Sequence, residues 1–170
     1  MLARPDKNEY ADYFQTYVSK VPEGDIIEQC ASQRDAFADL LGGIGSEREE
    51  FRYAEGKWSI KEVVGHVLDA ERMFAYRTLA FARNDRTRLP SFSSDDYVAA
   101  ANFHNQTLAQ ITDAFVANRT AYVALLRSFT DDAWLRRGTA SGFEFTVRAI
   151  AYIVVGHAMH HAMVLRKRYL

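Results

Sequence analysis

Three of the chain's five histidines fall within the segment Gly156-His157-Ala158-Met159-His160-His161. A fourth, His66, follows Trp58-Ser59-Ile60-Lys61-Glu62 in another apolar, helix-like stretch. On a helix, 3.6 residues per turn brings positions i and i+4 to one face, so His157 and His161 point the same way. If the two helices pack together, His66 completes a three-nitrogen set. Neutral imidazoles are borderline-soft donors suited to zinc or nickel. With no fourth protein ligand one coordination position stays open, which marks a catalytic rather than a structural site.

The alternative is that these histidines are satisfied core residues or solvated ones near a helix C-terminus, where positive charge is tolerated. Ile150, Val154, His157, His161 and Leu165 lie on one stripe at steps of four, three, four and four. That stripe is apolar and should face inward. Burying two unpaired imidazoles costs about 1–3 kcal/mol each, a penalty that metal ligation removes. His160 belongs to a neighbouring stripe with Ile153, Gly156 and Met163 and is the weaker ligand; its role stays open. His104 has no partner in sequence and reads as a surface residue. The His157/His161 pair matches the H-E-x-x-H protease motif in spacing only, because Ala158 occupies the slot of the glutamate base. Asp69 and Glu71, just after His66, are candidates for orienting an imidazole from behind, or for pairing with Arg72 or Arg77. Neither a glycine-rich phosphate loop nor a Ser/His/Asp order stands out.

The elements that must position these side chains read as helices. Gly24-Asp25 opens one that runs through Ile26, Cys30, Phe37 and Leu41 to Gly42-Gly43. Ser59 is an N-cap, and Glu62 three residues on makes a capping box for a helix reaching about Arg83. A long helical pattern follows from Asp96 to Phe129, bent near Phe103. Thr146 caps a last helix to about Tyr169. Before these, residues 1–23 form a short amphipathic arm with Tyr10, Phe14, Tyr17 and Val18 at helical spacing. Residues 130–145 are a linker with a weak hairpin signal around Gly138 to Phe145. Four helix-period segments without strand alternation predict an all-α four-helix bundle, residues 1–170 forming one domain.

Composition narrows the function. The chain has 170 residues, 48% of them apolar and 25% charged, as in ordinary globular proteins. A net charge of -1 argues against electrostatic capture of nucleic acid. The N-terminus lacks the apolar segment of a secretion signal, and the longest apolar stretch, Ala149 to Val155, is too short for a membrane span. Cys30 is the single cysteine, so no internal disulfide forms and a reducing, cytoplasmic setting is expected. It reads as a buried small hydrophobe rather than a nucleophile.

The run Gly56-Lys57-Trp58-Ser59-Ile60-Lys61-Glu62-Val63-Val64-Gly65-His66, with Asp69 and Glu71 after it and Gly156-His157 and His160-His161 near the C-terminus, resembles the DinB/YfiT-like superfamily. The resemblance covers nearly the whole chain, from Tyr10 to Tyr169. It implies an up-down-down-up bundle, a homodimer, and a divalent metal, zinc or nickel, on His66, His157 and His161. Characterised members of that superfamily include thiol S-transferases using bacillithiol or similar cofactors and mycothiol-dependent isomerases. Such membership fixes fold and metal better than substrate.

Three functions follow as expectations. The first is a transferase acting on a small-molecule substrate with a low-molecular-weight thiol, which a metal would convert to a thiolate at neutral pH; Arg77 or Arg83 is the candidate for holding a carboxylate of that thiol cofactor. The second is a metal-dependent hydrolase with an ionised water, needing a base such as Asp69 or Glu71. The third is a non-catalytic metal-binding dimer of the stress response.

Overall fold

A computed structural model describes residues 2–170. Four long helices dominate: α2 (Ile26–Gly42), α3 (Ile60–Ala82), α5 (Leu108–Arg127) and α6 (Val147–Val164), accompanied by the short α1 (Gln15–Val18) and α4 (Ser94–Ala101). Each long helix starts where a side chain can satisfy its free amides. Asp25 accepts from the amides of Ile27 and Glu28 at 2.9 and 3.1 Å. Ser59 and Glu62 form the expected capping box on α3, and Thr146 Oγ1 accepts from Ala149 at 3.1 Å.

α2 and α3 lie diagonally, each packed on both α5 and α6, in the up-down-down-up order. The interior holds two apolar clusters. One gathers Val63, Val64, Val67 and Leu68 with Ile111, Phe115 and Ala158; the other gathers Phe74, Tyr122, Leu126, Ile150, Ile153 and Val154.

Three boundaries differ from the sequence expectation. The pattern read as one bent helix from Asp96 to Phe129 is two helices. Asn102 takes a left-handed conformation (φ 52°) that ends α4, a 3₁₀ turn follows, and Thr107 with Gln110 forms a second capping box that starts α5. A left-handed residue stops the α ladder outright, so the chain turns rather than bends. The arm is less regular than expected. It consists of 3₁₀ turns at Lys7–Glu9 and Asp12–Phe14 before the four-residue α1. Finally, the weak hairpin signal corresponds to a real antiparallel pair, β1 (Arg137–Ala140) and β2 (Phe143–Thr146), with Arg137 opposite Thr146 and Ala140 opposite Phe143.

The arm is fastened to α6. Glu9, buried at 3% exposure, accepts from Arg148 Nε and from Thr146 Oγ1, each at 2.7 Å. Further along, α1 crosses α6 at Gly156, where any Cβ would stand 2.2 Å from the Tyr17 carbonyl oxygen. Glycine is required there because the obstructing atom is backbone. This crossing places Tyr17 beside the histidines.

Candidate metal centre

The structure brings His66 of α3 together with His157 and His161 of α6. His66 Nε2 lies 3.2 Å from His157 Nε2, and His161 Nε2 lies 3.1 Å from the same atom. The candidate ligand atoms of all three lie within 4.8 Å of one another. Nitrogens ligating zinc at its usual bond length and tetrahedral angle sit roughly 3.3 Å apart. The two spacings through His157 match that value, so the trio suits a small divalent ion, and no carboxylate is hydrogen-bonded to any of the three among the described residues.

Electrostatics keeps the donors ready. Burial lowers His66 to about 4 and His161 to about 3. It holds His157 well below the usual imidazole range, with repulsion from the other two rings adding to the effect. All three are thus neutral at physiological pH, each with one ring nitrogen whose lone pair is free to ligate. His161 Nδ1 is buried with no hydrogen-bond partner, so the acceptor that usually stands behind a ligating imidazole is missing at that ring. The other two rings are packed against aromatic neighbours. The His157 ring stands edge-on to Tyr17 and Phe74 at centroid distances of 5.2 and 6.3 Å, and Trp58 lies 4.8 Å from the His66 ring.

The three rings form the inner wall of a cavity of about 450 Å³ that Phe14, Phe74, Phe92 and Trp58 also line, with Arg77, Ser94, Asp95 and Ser141 among its polar positions away from the histidines and tyrosines. Its size suits a small organic molecule. His160 lines the cavity too, with its ring 5.5 Å from that of Tyr17, but it is not in the three-nitrogen cluster. His104 is exposed on the crossover.

Several expected helpers stand elsewhere. Asp69 pairs with Arg72 at 3.1 Å, one of the alternatives open from the sequence. Glu71 is wholly engaged by Arg119, whose Nε and Nη2 each donate at 2.6 Å. Neither carboxylate orients an imidazole: one turns outward on α3, and the other is consumed neutralising a fully buried cation. Arg83 sits at the exposed end of α3 with its guanidinium over Phe129 at 5.9 Å, away from the cavity. Arg77, by contrast, lines the cavity. Cys30 is fully buried and burial raises its thiol to about 11, so it supplies no nucleophile.

Sequence reasoning missed Asp95, Ser141, Tyr17 and Arg119. Arg119 left a signal: it falls on the apolar stripe Ile111, Phe115, Tyr122, where a cation must have a buried partner. Asp95 and Ser141 left none, since both sit in loops or at helix starts where polar residues are ordinary.

A four-helix bundle with a three-histidine cluster at the floor of a small cavity defines a class of protein, and the comparisons give it a family. The DinB superfamily model matches residues 29–165, and the chain belongs to that superfamily. A Geobacillus thermodenitrificans protein named "Putative metal-dependent hydrolase" is 23% identical over 152 residues, covering 85% of each chain. Among solved structures, YfiT from Bacillus subtilis, described as a probable metal-dependent hydrolase with an unusual four-helix bundle topology, superimposes with a TM-score of 0.68 at 14% identity, over 97% of this chain and 93% of that one. A mycothiol-dependent maleylpyruvate isomerase matches with a TM-score of 0.69 at 12% identity, over 86% of this chain but 61% of its own length. At such identities these structures speak for the fold. Among the described residues no helix is long and apolar enough to cross a membrane.

Proposed function

We propose that this protein is a metal-dependent enzyme in which His66, His157 and His161 hold a divalent ion and a low-molecular-weight thiol is the nucleophile attacking a small electrophilic substrate. The observation that carries the reading is the convergence of three neutral imidazole nitrogens on one point at the wall of a substrate-sized cavity. When bound, the ion supplies Lewis acidity that lowers the pKa of a thiol or water at its open position.

The chain's own residues do the rest. The imidazoles stay neutral and do not repel a cation. Trp58, Phe74 and Phe14 keep water from the cavity wall and offer apolar contact to the substrate body. With Cys30 sealed in the core, any thiol must come from outside. The mycothiol-dependent neighbour supports this choice. The working unit is a single domain of residues 1–170, acting in the cytoplasm as a homodimer.

Hydrolysis is the second reading, favoured by the names of two relatives and by Asp95, which lines the cavity and whose charge acts on His66. There Asp95 replaces Asp69 and Glu71 as the carboxylate available to take a proton from water.

The test is loss of thiol with 1-chloro-2,4-dinitrobenzene as acceptor, using zinc-loaded and nickel-loaded protein and His157→Ala. Turnover by the loaded protein that falls at least a hundredfold in His157→Ala supports thiol transfer. Equal turnover by both removes it. Thiol-independent cleavage across ester, amide and phosphate substrates moves the assignment to hydrolysis. A large metal-dependent rise in melting temperature with no turnover on any of them leaves a binding protein.

A further inference from the structure

Among the described residues three cationic side chains are buried: Lys61, Arg77 and Arg119, at 5%, 3% and 0% exposure. Two have acids. Lys61 Nζ meets Glu50 at 2.5 Å and Arg119 Nε meets Glu71 at 2.6 Å. Arg77 has no carboxylate within ion-pair distance among the described residues. Its Nη2 donates to the Pro90 carbonyl oxygen at 2.8 Å and to Ser141 Oγ at 3.0 Å, both neutral. Its Nε is buried with no partner at all. A guanidinium never gives up its charge, so an unneutralised one is costly unless something outside the chain neutralises it. Arg77 lies in the wall of the histidine cavity, so a ligand entering that cavity is the available partner.

The surroundings define what the partner looks like. The guanidinium carbon sits 5.8 Å from the centroids of both Phe74 and Phe92, its aromatic flanks. Phe74 bridges to the histidines: 5.8 Å from the guanidinium on one side and 6.3 Å from the His157 ring on the other, it places cation and imidazole at most about 12 Å apart. His66 and Arg77 are eleven residues apart on α3, close to three full turns, so they share a face of that helix. The second of Arg77's contacts, to the Ser141 hydroxyl, is built with some strain. Ser141 and Gly142 form the two-residue turn between β1 and β2 with φ of 54° and 82°. Asparagine or glycine is the usual choice at the first position of such a turn. The serine there carries the hydroxyl that meets Arg77, and its amide is fixed to the Leu89 carbonyl oxygen at 3.1 Å.

We propose that Arg77, with the Ser141 hydroxyl beside it, is a carboxylate-binding subsite of the histidine cavity. The substrate is then a small carboxylic acid with an apolar body, its carboxylate on Arg77 and its reacting group toward His157. This deepens the proposed function, resting on it for the identity of the cavity as the substrate's. Asp95, the cavity's one acid, is exposed at the rim and leaves the guanidinium free.

Chelator-treated, metal-free protein titrated calorimetrically with benzoate and with benzyl alcohol tests the subsite apart from the metal. Benzoate binds the wild type at least tenfold more tightly than benzyl alcohol, and Arg77→Met removes that preference. Ser141→Gly, which the turn accepts without strain, weakens benzoate three- to tenfold and leaves the melting temperature in place. Zinc uptake at wild-type stoichiometry by Arg77→Met shows its cavity intact. Should that variant not fold, the benzoate and benzyl alcohol pair in wild type and the Ser141→Gly titration decide. Benzoate no tighter than benzyl alcohol, benzoate binding unchanged in both variants, or inorganic phosphate displacing benzoate better than acetate does, overturns the carboxylate assignment. Benzoate preference without zinc uptake would remove the metal reading and leave this one; zinc uptake without the preference would do the reverse.

Discussion

At the scale of single residues, burial decides the chemistry of this site. His66, His157 and His161 lose their protons because desolvation penalises the imidazolium, and clustering adds mutual repulsion. A cation added to the cluster competes with protons that are already weakly held. Zinc affinity, measured by competition with a chromophoric chelator, is therefore expected to change less than threefold between pH 7.5 and 5.5 and to fall only as pH approaches 4. A tenfold loss by pH 6 would mean the rings titrate as ordinary histidines. Arg119 illustrates the opposite use of burial. Its guanidinium is held by Glu71, the Cys30 carbonyl oxygen at 3.2 Å and Gln33 Oε1 at 2.6 Å. Arg119→Met strands the Glu71 carboxylate in the core and should cost about 3–5 kcal/mol in urea denaturation. Replacing both residues by apolar ones should recover much of that loss.

Among the elements, the contact of α1 with α6 is the most sensitive joint. At Gly156 the obstructing atom is the Tyr17 carbonyl oxygen, so an added methyl can be accommodated only if backbone moves. Gly156→Ala is expected to destabilise the protein by about 1–3 kcal/mol and to lift the arm, exposing the segment around Tyr17 to limited proteolysis. The same change should widen access to the cavity, because Tyr13, Phe14 and Tyr17 form one side of it. Wild-type protease resistance in that variant would show that the arm is not held where the structure puts it. The crossover between α3 and α5 serves the site in a comparable way. Its Leu89-Pro90 segment meets the β1–β2 turn, giving Arg77 its two neutral acceptors.

For the molecule as a whole, acid stability should hinge on Glu9. Burial alone would raise its carboxyl, but the hydrogen bonds from Arg148 and Thr146 outweigh it and bring the group down to about 2. A carboxyl lower in the folded than in the unfolded chain stabilises fully above the unfolded value of 4.5, and the stabilisation is lost as pH falls from there toward 2. One pKa unit corresponds to about 1.4 kcal/mol, so the span is worth on the order of 3 kcal/mol at most. Urea midpoints should fall through that window in the wild type and stay flatter in Glu9→Gln, which begins less stable at pH 7. Parallel slopes would show that the arm contributes little to global stability.

Periodicity and capping chemistry alone determined that this chain is a helical bundle: Ser59 with Glu62 and Thr146 mark helix starts, and the Ile150–Leu165 stripe turns His157 and His161 inward. These are local signals, carried by residues within a turn or two of one another. The break at Asn102 was hidden because apolar spacing continues across it, whereas one left-handed residue ends the helix. Asp69, Glu71, Arg77 and Arg83 looked alike as charges trailing His66. The Asp69–Arg72 pair, three residues apart, was among the local alternatives; tertiary structure alone gave Glu71 to Arg119 and Arg83 to the surface, and left Arg77 in the cavity without an acid. Which charge is neutralised depends on side chains dozens of residues away, and spacing along the chain carries no record of that.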